Sequence, residues 1–269
     1  DFGLIFGNPG GGKSWSLVAL GAHAVKLGYN VLHYTLELGE QYVGRRYDAY
    51  FSKIGVDKIQ KHKDKIESIM EDLKGNLIIK EFPTGKATMS TIESHIQKVK
   101  DTGIEPDLII IDYVDLLSSK RKTVDRKGEI DDIYTSTKGL ARELDIPVWS
   151  VSQVNRAGAK DNIVEGDKAA GSYDKIMITD VCISLSRQRK DKVEGTGRFH
   201  IMKNRYGMDG LTFGVKADTS TGHFEVSNEL YQEGEEDNDN TSSPQTNSFS
   251  GIDKFDRSEL QKKFFELNT

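Results

Sequence analysis

The sequence predicts an α/β fold with a mainly parallel, twisted sheet flanked by helices. Short apolar runs alternate with longer amphipathic segments along most of the chain, the pattern that strand–helix–strand units leave. The run Leu108-Ile109-Ile110-Ile111 is apolar at every position, as a central strand covered on both faces requires. A glycine-rich segment from Gly7 to Ser14 joins an apolar run to a helical one.

Taken in order, strands are expected at residues 3–6, 31–35, 77–80, 108–111, 148–151, 181–186, 198–203 and 211–215. Helices are expected at 13–26, 40–53, 58–74, 90–100 and 129–144. In the last of these, Ile130, Ile133, Thr137, Leu140 and Leu144 recur at helical spacing. After Phe224 the composition changes. Residues 228–250 hold too little apolar surface to fold and are expected to be a disordered acidic linker. Beyond it, Ile252, Phe255, Leu260, Phe264 and Phe265 sit among charges, so 251–269 reads as a short amphipathic C-terminal helix. The expected organisation is a folded core at 1–227, the linker, then the tail.

With 269 residues the chain is long enough to bury one generous core. Its single cysteine excludes a disulfide scaffold and a cysteine-built zinc ribbon. No stretch approaches the roughly 20 apolar residues of a membrane helix. The chain begins at Asp1 without Met and reads as a piece of a longer protein, with a reducing cytoplasm the expected setting. From Ser227 onward ten acids face four bases, a net −6 that leaves +1 for the core out of −5 overall. An acidic pI of about 5.8 therefore does not argue against a nucleic-acid ligand.

Gly7-Asn8-Pro9-Gly10-Gly11-Gly12-Lys13-Ser14 satisfies GxxxxGK[ST] in the strand-to-helix context that this phosphate-binding loop needs. Glycines let backbone N–H groups converge on phosphate oxygens, and the helix that follows adds its positive end. Lys13 is expected to neutralise the β- and γ-phosphates of ATP, and Ser14 to bind Mg²⁺. Asp112, closing the apolar strand at the same rim, is the second expected metal ligand. Many ATPases carry a catalytic Glu directly after this Asp, but here the position is Tyr113. Glu37, after the second strand, is then the expected general base, with Asp115 next in line.

These residues resemble the DnaB-type hexameric replicative helicases, whose motor domains are RecA-like. Thr35-Leu36-Glu37-Leu38-Gly39-Glu40-Gln41 is similar to that family's S-L-E-M-S-x-E/Q segment, with Arg46 at its downstream arginine. Residues 108–117 resemble its I-D-Y-L-Q-L-M segment, and 140–148 its L-A-R-E-L-N-V-P-V run. Ser152-Gln153-Val154-Asn155-Arg156 matches S-Q-L-N-R, and Lys203-Asn204-Arg205-Tyr206-Gly207 matches K-x-R-x-G. The resemblance implies a RecA-like phosphate-loop core, ATP and Mg²⁺ as ligands, and a homo-hexamer on single-stranded DNA. It also implies roles: Glu37 as base, Arg46 at the nucleotide, Gln153 sensing the γ-phosphate, and Lys203 and Arg205 acting in trans on a neighbour's ATP. The chain departs from the pattern at Asp115, where the family has a polar amide, and at Lys168, where it has Arg.

Residues 118–127 follow the Asp112 strand and hold Lys120, Arg121, Lys122, Arg126 and Lys127. A second loop, 155–172, adds Arg156, Lys160 and Lys168. Both are expected to grip successive phosphates of nucleic acid, nearly blind to base sequence. The tail is expected to dock on a primase, loader or polymerase of the replisome, in a bacterial cytoplasm or in a host's if phage-encoded. Two other readings stay open on the sequence: a recombinase filament of the RecA type, and an ATP switch in the manner of KaiC.

Overall fold

A computed structural model describes residues 1–119, 126–154, 163 and 173–231. In chain order its elements are β1 (Phe2–Gly7), α1 (Lys13–Leu27), β2 (Val31–Thr35), α2 (Glu40–Ser52), α3 (Lys63–Glu71), β3 (Leu77–Glu81), α4 (Met89–Lys100), β4 (Leu108–Asp112), α5 (Arg126–Glu143), β5 (Val148–Gln153), α6 (Tyr173–Ile178), β6 (Val181–Ser186), α7 (Arg189–Glu194), β7 (Thr196–Asn204), β8 (Thr212–Asp218) and β9 (His223–Leu230). The strands form one sheet in the order β3-β2-β4-β5-β1-β6-β7-β8-β9. Pairing is parallel from β3 through to β6 and antiparallel from β6 to β9.

Alternation along each strand divides the core in two. Phe2, Leu4, Phe6, Leu32, Tyr34, Ile109 and Ile111 share one face with Ile92 and Ile96 of α4 and Ile133 and Leu140 of α5. Ile5, Val31, Ile110 and Val151 share the other with Leu17 and Val18 of α1 and Val43 and Tyr47 of α2. Each such side chain, fully removed from water, contributes about 1.5–3 kcal/mol before chain entropy is charged against it. Gly21 lets α1 lie close to the sheet, because a Cβ there would run into the Tyr47 hydroxyl and Ile110. The helix stops at Gly28, which at φ +102° caps it with an N–H directed to Ala24 and Val25 carbonyls.

The structure corrects four expectations. The helix expected at 58–74 is a 3-10 turn, Ile59–His62, followed by α3. The helix expected from 129 begins at Arg126, whose guanidinium pairs with Glu129 and donates to the Asp115 carbonyl at 3.1 Å, holding an extra first turn. The short helices α6 and α7 were not expected. The core does not end at 227: β9 runs to Leu230, and Tyr231 N–H donates to the Thr212 carbonyl. The compact unit accordingly closes at Tyr231. An edge strand is held by its backbone ladder to β8, and the mostly exposed side chains of β9 left no apolar pattern to read. The tail at 251–269 lies outside the described residues.

His33 of β2 is buried beside Tyr47, with Nδ1 2.8 Å from its hydroxyl. Burial, helped by the nearby Arg46 charge, pushes its pKa down to about 3. The unfolded chain takes up this proton near the ordinary value of 6.5. Stability is therefore lost as pH falls from about 6.5 toward 3, by at most about 1.4 kcal/mol per pH unit from this group. In urea titrations between pH 7 and 4, His33→Gln should show a flatter acid decline than the parent. Parallel declines would show that His33 is not held neutral.

Candidate active site

Parallel register gathers the ends of five strands at one rim. Gly7, closing β1, lies level with Gln153 of β5 and Leu185 of β6, and Thr35 of β2 lies level with Asp112 of β4. A cleft of about 390 Å³ opens there. Pro9, Gly10, Gly11, Gly12, Lys13 and Ser14 line it, together with Glu37, Arg46, Asp112 and Gln153. Gly7 and Asn8 stand behind, and their carbonyls each accept a hydrogen bond from Lys13 Nζ at 2.9 Å.

The loop needs its glycines. Gly10 and Gly12 take φ +64° and +96°, and a Cβ on Gly7 would come within 2.8 Å of the Leu185 carbonyl. Gly11 N–H closes the turn on the Asn8 carbonyl at 3.0 Å, and α1 starts at once from Gly12. Its first amides thus open toward the cleft with no acidic side chain in the first turn, which suits an anion.

Charges inside the cleft oppose one another. Burial holds Asp112 above the usual carboxylate range, while a hydrogen bond with Ser14 and the charges of Arg46 and Lys13 pull it down. Burial lowers Lys13 to about 8, against the raising effects of Asp112 and Glu37 and together with repulsion from Lys192. Arg46 is lowered by burial as well, and Asp112 and Glu37 counter this. Asp112 Oδ1 is buried without a hydrogen-bond partner. One unpartnered carboxylate oxygen beside a serine hydroxyl fits a hard divalent cation that takes its remaining ligands from phosphate and water. Among the described residues no cluster of His, Cys, Asp or Glu could hold a metal by itself.

The family model of the DnaB-like helicase C-terminal domain matches residues 1–216. The chain belongs to that family. It is 27% identical over 212 residues to the DnaB-like replicative helicase of Enterobacteria phage T4, covering 73% of this chain and 44% of that protein. It is 26% identical over 247 residues to a probable plasmid replicative DNA helicase of Chlamydia psittaci, covering 86% of this chain and 52% of the other. The chain thus spans about half the length of these relatives. Among solved structures, one of an ATPase domain superposes with a TM-score of 0.71 at 21% identity, covering 83% of this chain and 84% of that one. A DnaB-like replicative helicase studied with primase gives 0.72 at 21%, covering 83% and 57%. The fold is that of the RecA-like DnaB-family ATPase domain, and family membership favours the helicase reading over the recombinase and the switch.

Lys203 and Arg205, the K-x-R pair of the family pattern, are not at the cleft. Lys203 lies near the end of β7 and Arg205 just past it, beside the start of β6, where Lys203 Nζ donates to the Ile176, Met177 and Thr179 carbonyls. Arg205 Nε pairs at 3.1 Å with Asp180, which also takes Lys138 Nζ at 2.7 Å and Phe2 N–H at 3.0 Å. This is the opposite end of β1 from the phosphate loop, about 20 Å away at strand rise. Asp115 does not line the cleft either: its carboxylate is held by Ser152 Oγ at 2.8 Å and Lys175 Nζ at 2.6 Å.

Of the basic residues, Arg126 and Lys127 lie in the first turn of α5 and not in a loop, and Lys127 pairs with Asp174 at 2.8 Å. Lys120, Arg121, Lys122, Arg156, Lys160 and Lys168 lie outside the described residues. Among the described residues no helix is long and apolar enough to cross a membrane.

Nothing in the sequence marks Lys192, Trp15 or Thr219 as site residues. Lys192 Nζ lies 3.6 Å from where a Cβ on Gly10 would stand, and the other two line the cleft. Lys192 arrives through pairing of β1 with β6, which sets α7 beside the phosphate loop, a long-range effect no local motif carries.

Because Lys13 titrates near 8, its charge is present at neutral pH and lost above about pH 8. Affinity for ATP, whose phosphates favour the protonated lysine, should fall above pH 8 by up to about tenfold per unit. Titration of a fluorescent ATP analogue from pH 7 to 10 checks this, and Lys13→Ala should remove the slope. A flat parent profile would contradict the role.

Proposed function

We propose that the chain is the ATP-driven motor of a replicative DNA helicase, working as a homo-hexameric ring on single-stranded DNA in a bacterial or phage-infected cytoplasm. The observation that carries this reading is the cleft, where Lys13, Glu37, Asp112, Arg46 and Gln153 converge at the rim from five different segments. Ser14 and Asp112 would hold Mg²⁺, which supplies charge neutralisation on the β- and γ-phosphates when bound.

In this reading the phosphate loop and Lys13 fix the triphosphate. Glu37 takes a proton from water as the water oxygen attacks the γ-phosphorus. The β–γ bond breaks, leaving ADP and inorganic phosphate. Gln153 contacts the γ-phosphate from β5. Lys203 and Arg205 meet the ATP of a neighbouring copy, since the length of β1 keeps them from their own. A cation supplied in trans makes turnover conditional on assembly and is worth roughly 10³-fold or more. Arg126 and Lys127, with the basic residues of 120–122, and Arg156, Lys160 and Lys168, are assigned to the DNA phosphates. The tail is assigned to a primase, loader or polymerase.

Glu37→Gln tests the catalytic assignment. The amide cannot accept the water's proton, so turnover should fall by roughly 10²-fold or more while ATP affinity stays near the parent's. A near-parental rate would assign the proton to another group.

A further inference from the structure

The backbone ladders that hold the rim are uneven. Gly7 of β1 pairs with Gln153, and Thr35 of β2 pairs with Asp112, so both of those ladders reach the residues of the cleft. Between β4 and β5 the pairing stops at Ile111 and Ser150. Asp112 and Gln153 therefore stand on neighbouring strands past the end of the ladder that joins them.

Side chains take over where this ladder ends. The Ser150 hydroxyl donates to the Ile111 carbonyl at 2.6 Å and accepts Val114 N–H at 3.1 Å. Two residues on, on the same face of β5, Ser152 Oγ donates to Asp115 Oδ2 at 2.8 Å. Asp115 sits in the 3-10 turn Val114–Leu116 that follows β4. Its other oxygen, Oδ1, accepts Lys175 Nζ at 2.6 Å, and the same Nζ donates to Ser152 Oγ at 2.9 Å. The triangle is closed and largely out of water, with the Lys175 and Asp115 side chains 13% and 14% exposed. The ammonium also lies 5.2 Å from the centre of the buried Tyr134 ring.

Lys175 is delivered by α6, whose six residues are too few to hold a helix by themselves. Ile176 packs into the core, and Lys203 Nζ gathers the carbonyls at and just past its C-terminal end. A pair this buried adds little net stability over apolar side chains of similar volume, but its geometry is restrictive. A carboxylate engaged by a different partner at each oxygen has one orientation.

We infer that Lys175 and Asp115 are positioning residues for ATP turnover: through Ser152 their ion pair spans the gap past the ladder and sets the separation of Asp112 from Gln153. The inference rests on the nucleotide reading above and adds what holds that site in register. Asp112 and Gln153 act at the γ-phosphate end, whereas the phosphate loop and Lys13 grip what ADP also carries. Loosening the triangle therefore costs the triphosphate and spares the diphosphate.

The double variant Asp115→Asn, Lys175→Gln removes both charges at once and strands neither. Calorimetry with Mg²⁺ and two probes, ADP and the non-hydrolysable β,γ-imido analogue of ATP, gives the comparison, with ATP turnover and thermal melting alongside. The imido analogue should bind roughly tenfold more weakly while ADP stays near the parent's affinity. Turnover at saturating ATP should fall by up to roughly 10²-fold, as a displacement of about 1 Å at a reacting centre costs. Ser152→Ala cuts the triangle at β5, leaves the ion pair in place and should show the same pattern; it decides the matter if the double variant does not fold. Equal weakening of ADP and the imido analogue, or parental turnover, would overturn the inference. If the parent binds neither probe, the nucleotide reading itself fails.

Discussion

The backbone ladder of β1 is the constraint on which the rest depends. This strand is buried along its whole length and paired in parallel with β5 on one side and β6 on the other. Register with those neighbours leaves little freedom to its last residue: Gly7 stands between Gln153 and Leu185, and the phosphate loop starts from that point. In a parallel sheet all such ends face one rim. Asp112 reaches it from β4 and Glu37 from just beyond β2, so residues distant in sequence meet without any local signal drawing them together.

The cost of that meeting is visible in the shifted pKa values of the buried charges. Burial pushes Lys13 down and Asp112 up, each toward its neutral form; Asp112 and Glu37 counter this at Lys13, and Ser14, Arg46 and Lys13 counter it at Asp112. Groups strained in this way gain most from an anion and a cation that satisfy them together. Perturbed charges of opposite sign facing one cleft are what a polyphosphate site requires, and family membership agrees with it.

How much of this the sequence disclosed follows from the range of each interaction. The phosphate loop was legible because GxxxxGK[ST] encodes a local conformation, and Gly10 and Gly12 adopt the positive φ angles it implies. Asp112 was legible because a fully apolar strand announces its own end. Lys192 and Thr219 were not, since their place depends on pairing across the sheet. Strand β9 escaped because its backbone ladder, with Phe224 alone packed inward, attaches it. Arg126 and Lys127 looked like loop charges, yet ion pairs with Glu129 and Asp174 set them in a helix.

The two ends of β1 carry different duties in this account. Its C-terminal end opens on the cleft; its N-terminal end, through Asp180, holds Arg205, which the proposal assigns to a second copy's nucleotide. Mixing Lys13→Ala and Arg205→Ala proteins, each inactive alone, tests this most directly. In mixed assemblies an Arg205→Ala subunit contributes an intact phosphate loop, and its Lys13→Ala neighbour supplies the missing arginine. ATP turnover should reappear on mixing and vary with the ratio of the two. No recovery, with co-assembly demonstrated, would contradict it.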